Sequence, residues 1–370
     1  MTAPFTRRAA FGLGLGAAAC ASLPAPHGLN TIAQAKGMRF GSAMGASGSA
    51  NEFADRRYRD IVLAECGVLV AQNEHKWPHV EPTPGAVSFT AGDSMVDWAR
   101  QHTIAFRGHT LVWHHPDWLP RWLAGYDFGA QPTHAAEQLL RTHINQVCGH
   151  YRGVISSWDV VNESVNNETG ELRETVFTRH LGPASNDLMF RLAREALPDA
   201  QLVYNDYMGW SGDPTHRNGV LRLLERFRAN DTPIDALGLQ SHIGPNDIAD
   251  ATSFSQKERT WRAFLDEVTG MGYALLITEL DVSDRTLPAD TSVRDAAMAA
   301  YLRAYLDVTL SYTQLKDVLV WGLVDQYSWL QTRWPREDNL AKRPSLYDAD
   351  FHPKPMRDAV AAAFRAAPHR

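Results

Sequence analysis

Eight short apolar runs, each followed by a longer amphipathic stretch and each ending in or beside a polar residue, predict an α/β fold, a single-domain (β/α)8 TIM barrel. Alternation of strand-like and helix-like segments implies parallel βα units. Runs such as Ala274-Leu275-Leu276-Ile277 are continuously apolar, as expected of strands buried on both faces. A chain of 370 residues would by length alone suggest two or three domains, but eight units use nearly all of it. No repeat, linker or low-complexity segment interrupts them, so residues 26–370 read as one domain with no room for an appended module.

Taken in order, strands are expected at Arg39–Gly45, Val68–Asn73, Ile104–His109, Val154–Asn162, Gln201–Asp206, Ala236–His242, Ala274–Asp281 and Val318–Asp325. Helical patterns fall at Tyr58–Cys66, Thr133–Val147, Asn186–Ala196, Arg217–Ala229, Trp261–Thr269 and Val293–Ser311, with a last one over Met356–Ala367 after Pro355. Ahead of them, residues 1–25 have the features of an export signal. Arg7-Arg8 precede Phe11 and a short Gly/Leu/Ala run to Ala19, without an acidic residue, and Pro24 and Pro26 close the segment. The paired arginines point to the twin-arginine route, with the signal cleaved and the product periplasmic or extracellular. That apolar run is too short for stable membrane insertion. Cys20 lacks the Leu three residues earlier that lipidation would favour. Cys66 and Cys148 remain, and are expected to be buried and unpaired.

Composition narrows the function. A balance of 36 basic to 42 acidic residues, net −6, offers no basic footprint for nucleic acid. No expected helix carries His-x-x-x-His and no Cys-x-x-Cys pair occurs, so no metal site is expected, and His114-His115 alone does not make one. The glycines from Gly41 to Gly48 fail the dinucleotide spacing, and no phosphate loop or Gly-x-Ser-x-Gly elbow occurs. Eleven tryptophans suit either a large core or a cleft that stacks on sugars.

The polar residues that end the runs are the informative ones: His109, Asn162-Glu163, Asn205-Asp206, Gln240 with His242, and Glu279. In a barrel these converge on the C-terminal mouth, where active sites of this fold sit. Glu163 and Glu279 fall after strands four and seven. A carboxylate at the tip of a buried strand has a tunable pKa, and two facing each other suit glycoside hydrolysis. Their separation, which decides between retention and inversion, is not legible in sequence. Asn162 is placed to bond a sugar 2-hydroxyl, and His242 with Asp281 to form a hydrogen-bonded line that keeps Glu279 ionised.

From about Arg39 onward the chain resembles the family 10 glycoside hydrolases, the barrel xylanases. Five segments carry the likeness: Arg107-Gly108-His109-Thr110-Leu111-Val112-Trp113, Trp158-Asp159-Val160-Val161-Asn162-Glu163, Gly238-Leu239-Gln240-Ser241-His242, Ile277-Thr278-Glu279-Leu280-Asp281, and Trp321 through Trp329. The resemblance implies a retaining endo-1,4-β-xylanase with Glu163 as acid/base and Glu279 as nucleophile. It implies that Asn73, Lys76, His109, Trp113, Asn162, Gln240 and His242 line the subsite of the scissile sugar, walled by Trp321 and Trp329. Asn205 and Tyr207 look like polar lining on the leaving-group side. Xylan and xylo-oligosaccharides are then the expected partners, with no cofactor and a monomeric state.

Two departures stand out. The family usually carries Glu-Asn-Glu-Met-Lys-Trp where this chain has Gln72-Asn73-Glu74-His75-Lys76-Trp77, so Gln72 replaces a carboxylate that grips the next sugar. After Trp113 the segment His114–Trp122 is longer and carries an extra Trp, which is expected to pack. Trp98, Trp158 and Trp261 are assigned to the fold, and Trp77 to either role. Two competing readings are a barrel of the same chemistry acting on another β-glycan or short oligosaccharides, and an inert carbohydrate-binding barrel. The presence of both glutamates disfavours the second.

Overall fold

The structure, a computed structural model, describes residues 27–47, 51–245 and 251–370. The expected export signal, with Cys20, lies outside the described residues. Eight parallel strands close on themselves: β1 (Arg39–Met44), β2 (Val68–Ala71), β3 (Ala105–Trp113), β4 (Ser157–Asn162), β5 (Gln201–Asp206), β6 (Ala236–Leu239), β7 (Ala274–Val282) and β8 (Leu315–Val320). Each is hydrogen-bonded to the next, and β8 returns to β1 with Asp317 opposite Arg39. A two-residue strand, His242–Ile243, adds to β7 with His242 opposite Asp281. Among the described residues no helix is long and apolar enough to cross a membrane.

The order of elements matches the expectation, while several boundaries differ for identifiable reasons. β3 continues to Trp113, past the polar His109, because His109 turns inward onto Asp159. β6 stops at Leu239, since Ser241 takes a left-handed conformation at φ 61°. β8 runs over Leu315–Val320 rather than Val318–Asp325. Gly322, at φ 99°, bends the chain there, and Asp325–Tyr327 forms a 3-10 turn. Helices over Leu29–Gln34, Trp77–Val80, Thr90–Gln101 and Val176–Leu181 had no counterpart in the sequence reading. Thr90–Gln101 is the crossover between β2 and β3. Its N-cap position holds Phe89, which makes no side-chain cap, so the usual start signal is missing.

Most of the apolar core lies between the strands and the surrounding helices. Two small clusters, one of Ala43, Val68, Val70 and Leu319 and the other of Val203, Ala236 and Leu276, lie apart from it and consist entirely of strand residues. Polar groups complete the strand interior: Arg107 Nη2 bonds Asp159 Oδ1 at 2.6 Å, and Arg107 Nε donates to Ser157 Oγ at 3.1 Å. Trp158 and Trp261 are fully buried, and Trp98 packs edge-on against Phe53, so all three belong to the fold. Trp77 stacks on His143 at 3.8 Å and is buried, which settles its role as packing. Cys66 and Cys148 are buried and free.

Buried carboxylates tie segments together. Glu65 accepts from Leu29 N at 2.7 Å, Arg357 Nε at 2.7 Å and the Tyr347 hydroxyl, joining the first helices to the last. At the exit of β1, Glu52 accepts from Gly45 N at 3.1 Å and Gln72 Nε2 at 2.9 Å, and Glu74 accepts from Ala46 N at 2.8 Å and Ser47 Oγ at 2.6 Å.

Replacing Glu65 with Leu strands the Arg357 guanidinium in a dry setting, so denaturant unfolding of E65L should show a loss of roughly 3–5 kcal/mol. Burial raises the Glu52 carboxyl to about 7. A raised pKa in the folded state contributes stability that is full at acid pH and lost as pH rises through about 7. Gln is neutral throughout. The Tm of E52Q relative to wild type should therefore climb by at least about 2 °C between pH 5 and pH 8, the shift expected of 1 kcal/mol in a chain this long. A constant difference would show that Glu52 does not titrate in that window.

Candidate active site

The C-terminal ends of the strands assemble the expected residues around Glu163 and Glu279. Glu163 follows β4 in a left-handed conformation, φ 54°, which a Glu adopts only when its surroundings enforce it. Its backbone is fixed from both sides: Glu163 N donates to Asn205 O at 2.9 Å, and Arg173 Nε donates to Glu163 O at 2.9 Å. This turn carries the side chain to the cleft, where it accepts from Gln240 Nε2 and Trp113 Nε1, each at 2.9 Å.

Glu279 lies within β7 and is buried. It accepts from Asn205 Nδ2 at 2.7 Å and from His242 Nε2 at 3.3 Å. His242 Nδ1 lies 3.0 Å from Asp281 Oδ2, and Trp329 Nε1 donates to the same oxygen at 2.8 Å. Asp281 thus reaches His242 as an ion pair, His242 reaches Glu279 by a hydrogen bond, and Trp329 anchors Asp281. Amides link the two carboxylates beneath the cleft. The Asn162 side chain lies 2.9 Å from Asn205 Nδ2 and 3.2 Å from Gln240 Nε2, so the sequence Glu163–Gln240–Asn162–Asn205–Glu279 is continuous. Gly238 makes room for it, since a Cβ there would meet Asn205 Oδ1 at 2.3 Å.

The two carboxyls are driven apart in proton affinity. Burial raises Glu163, and the charges of Asp206 and Glu279 push it further than its two hydrogen bonds pull it back. Burial acts on Glu279 in the same direction, but the bond from His242 and the electrostatic influence of His109, His242 and Lys76 bring it below its ordinary value. Burial alone would lower His242, yet Asp281 and Glu279 reverse this and raise it to about 10, so it is an imidazolium. Lys76 is pushed down by burial to about 8 and stays charged at neutral pH. One carboxyl raised in proton affinity near one that is lowered is the arrangement an acid and a nucleophile require.

Around this floor, Lys76 Nζ donates to Asn73 Oδ1 at 3.0 Å and lies 4.6 Å from the Trp113 ring centre and 5.9 Å from that of Trp321. His109 meets Trp321 edge-on and is held by Asp159 at 2.9 Å. Tyr207, half-buried, shares its hydroxyl with Arg173 and donates to Asn167 Oδ1 at 3.2 Å. Two expectations change. Asn205 does not line the leaving-group side: it is completely buried and grips Glu279 from below, because Gly238 and Thr278 admit it there. Trp113 offers its N–H to Glu163 in addition to its ring face.

The segment after Trp113 packs, as expected. His114 is buried between Ser164 and Thr175, and Trp122 Nε1 donates to Glu81 O at 3.0 Å. Trp118, however, stacks on Trp113 at 4.8 Å and stays 45% exposed, extending that wall outward. Gln72 turns its N–H to Glu52 rather than into the cleft. Asp159 and Arg173 are site residues that the sequence reading passed over, and Asp206 was named there without a role. Asp206 was visible as the polar end of β5, and Asp159 as the charge inside an apolar run.

Comparison with known proteins agrees with this geometry. The chain is 33% identical over 355 residues to endo-1,4-beta-xylanase 1 of Humicola insolens, covering 94% of this chain and 77% of that one. Xylanase 10B of Thermotoga maritima superposes with a TM-score of 0.80 at 27% identity, over 91% of this chain and 98% of that one. Xylanase 10B of Thermotoga petrophila, solved with xylobiose, gives 0.80 at 26% identity, over 93% and 98%. The model of glycosyl hydrolase family 10 matches residues 28–363, and with the barrel and its paired glutamates it shows that this chain belongs to that family.

Proposed function

We propose that the protein is a retaining endo-1,4-β-xylanase that cuts internal β-1,4-xylosidic linkages of xylan, with Glu163 as acid/base and Glu279 as nucleophile. The observation that carries this reading is the opposite displacement of two strand-tip carboxyls joined through one amide relay. The names of the Humicola insolens and Gibberella zeae relatives, both endo-1,4-beta-xylanases, and of xylanase 10B of Thermotoga maritima support the substrate.

In the first step the protonated Glu163 gives its proton to the glycosidic oxygen while Glu279 attacks the anomeric carbon, forming a glycosyl ester and releasing the leaving chain. Esterification removes the Glu279 charge that helped raise Glu163. Glu163, now ionised, takes a proton from water as that water attacks the anomeric carbon, and Glu279 leaves as a carboxylate. Asn205 and His242 hold Glu279 in place through both steps, and Trp113 and Gln240 do the same for Glu163. Asn73, Lys76, His109 and Asn162 supply polar contacts to the sugar, and Trp321 and Trp329 its apolar walls. The export signal in residues 1–25 fits an enzyme that meets polymeric xylan outside the cytoplasm, working as a monomer on xylan and xylo-oligosaccharides.

Chromatography of products from xylan, mixed-linkage glucan and mannan tests the assignment: early release of mixed xylo-oligosaccharides from xylan is expected, and release of monomer from short oligosaccharides alone overturns the endo reading. E279A should lower kcat on xylan by several orders of magnitude, and a purified variant of comparable activity removes Glu279 from the nucleophile role. E163A should lose about 10²–10⁴-fold on xylan but far less in the first step on aryl glycosides with good leaving groups, which need little protonation. Equal losses on both substrates contradict the acid role.

A further inference from the structure

Beside the nucleophile support lies a pocket of about 230 Å³ to which His242, Asp281, Ser283, Arg285, Trp329 and Trp334 contribute. His242, Asp281 and Trp329 also border the scissile sugar, so the pocket is continuous with the proposed cleft. Its other members have no part in the chemistry described above. Trp334 is 52% exposed, an unusual state for an indole in a folded chain. Its ring meets Trp329 edge-on at 5.6 Å, and the Arg333 guanidinium lies 5.2 Å from its centre, which leaves ring surface open to solvent.

Among the described residues, one cation of this pocket is left without an ion-pair partner. Asp281 is already engaged by His242 and Trp329. Asp284, next along the chain, is completely buried and claimed by Arg294 at 2.7 Å, with Arg336 bonding its carbonyl. Lys342, also buried, spends its ammonium on the carbonyls of Leu330 and Arg333. Arg285 is exposed and has no hydrogen-bond or ion-pair partner among the described residues. The segment bearing Trp334 is held in place, since Gln331 Nε2 donates to Asp325 O and Lys342 O, each at 2.8 Å. Arg285 and Trp334 line the same pocket, each on a segment anchored by the bonds above, and a guanidinium and an indole so placed match a ligand that joins a carboxylate to a flat C–H face.

We propose that this pocket binds a hexuronic acid branch of the xylan chain, with Arg285 as the carboxylate-binding group and Trp334 as the stacking face. The proposal rests on the xylanase reading and assigns that site a preference among decorated substrates.

The test compares kcat/KM for a xylo-oligosaccharide bearing one glucuronic acid branch with that for the same compound after its carboxyl is reduced to the alcohol. Wild type should favour the acid about tenfold, the worth of one charge-assisted hydrogen bond at a partly exposed site. R285A should bring the ratio close to one, and R285K should keep part of it. W334A should depress both substrates together and leave the ratio standing. A wild-type ratio near one, or an R285A ratio equal to wild type, overturns the carboxylate assignment. A W334A variant that cleaves both as well as wild type overturns the stacking role. Failure of the wild type to cleave unsubstituted xylohexaose overturns the xylanase reading itself.

Discussion

Driving the proton affinities of two buried carboxyls in opposite directions is the constraint around which the site is built. Burial favours the neutral form of both. The difference comes from what surrounds each. Glu279 faces an imidazolium, an ammonium and an amide N–H, whereas Glu163 faces two neutral donors and the negative charges of Asp206 and Glu279 itself. The cations are in turn stabilised by further anions: Asp281 backs His242, and the two glutamates and Glu74 support Lys76. Charge therefore alternates outward from Glu279, and each buried ion lies beside an opposite one, as a site of low polarity demands.

The parallel barrel makes this arrangement possible. Each strand ends at the same mouth, so residues distant in sequence arrive within hydrogen-bond reach: Asn205 of β5 touches Glu279 of β7, and Trp113 of β3 touches Glu163 after β4. Left-handed turns at Glu163 and Ser241 re-aim the chain where a straight strand would point side chains into the wall. The polar interior of Arg107, Asp159 and Ser157 continues this network downward and fixes His109 at the rim.

The barrel and the site's membership were largely legible in sequence, because buried parallel strands read as unbroken apolar runs and their polar ends mark the mouth. Glu163, Glu279, His242, Gln240 and Asn162 all follow that rule. What was hidden depended on direction. Asn205 and Tyr207 are two residues apart, yet one points beneath the nucleophile and the other faces the cleft, a distinction set by the missing side chain at Gly238. Asp159 sits in a run that looks purely structural, and its partner Arg107 lies 52 residues earlier. The helix Thr90–Gln101 escaped notice because Phe89 gives no capping signal. The preference of Trp113 for Glu163 is a matter of indole orientation, which spacing does not encode.

The seam where β8 meets β1 is fastened at the end opposite the chemistry. Arg39 grips Asp317 with two bonds of 2.6 and 2.7 Å at the first residue of β1, and Glu65 with Arg357 clasps the outer helices nearby. Among the described residues none of these groups shares a partner with Glu163, Glu279 or their supports. The clasp that closes the barrel and the groups that do the chemistry thus sit at opposite ends of the strands. A change at the clasp can loosen or tighten the closure of the barrel without touching a direct partner of either carboxyl.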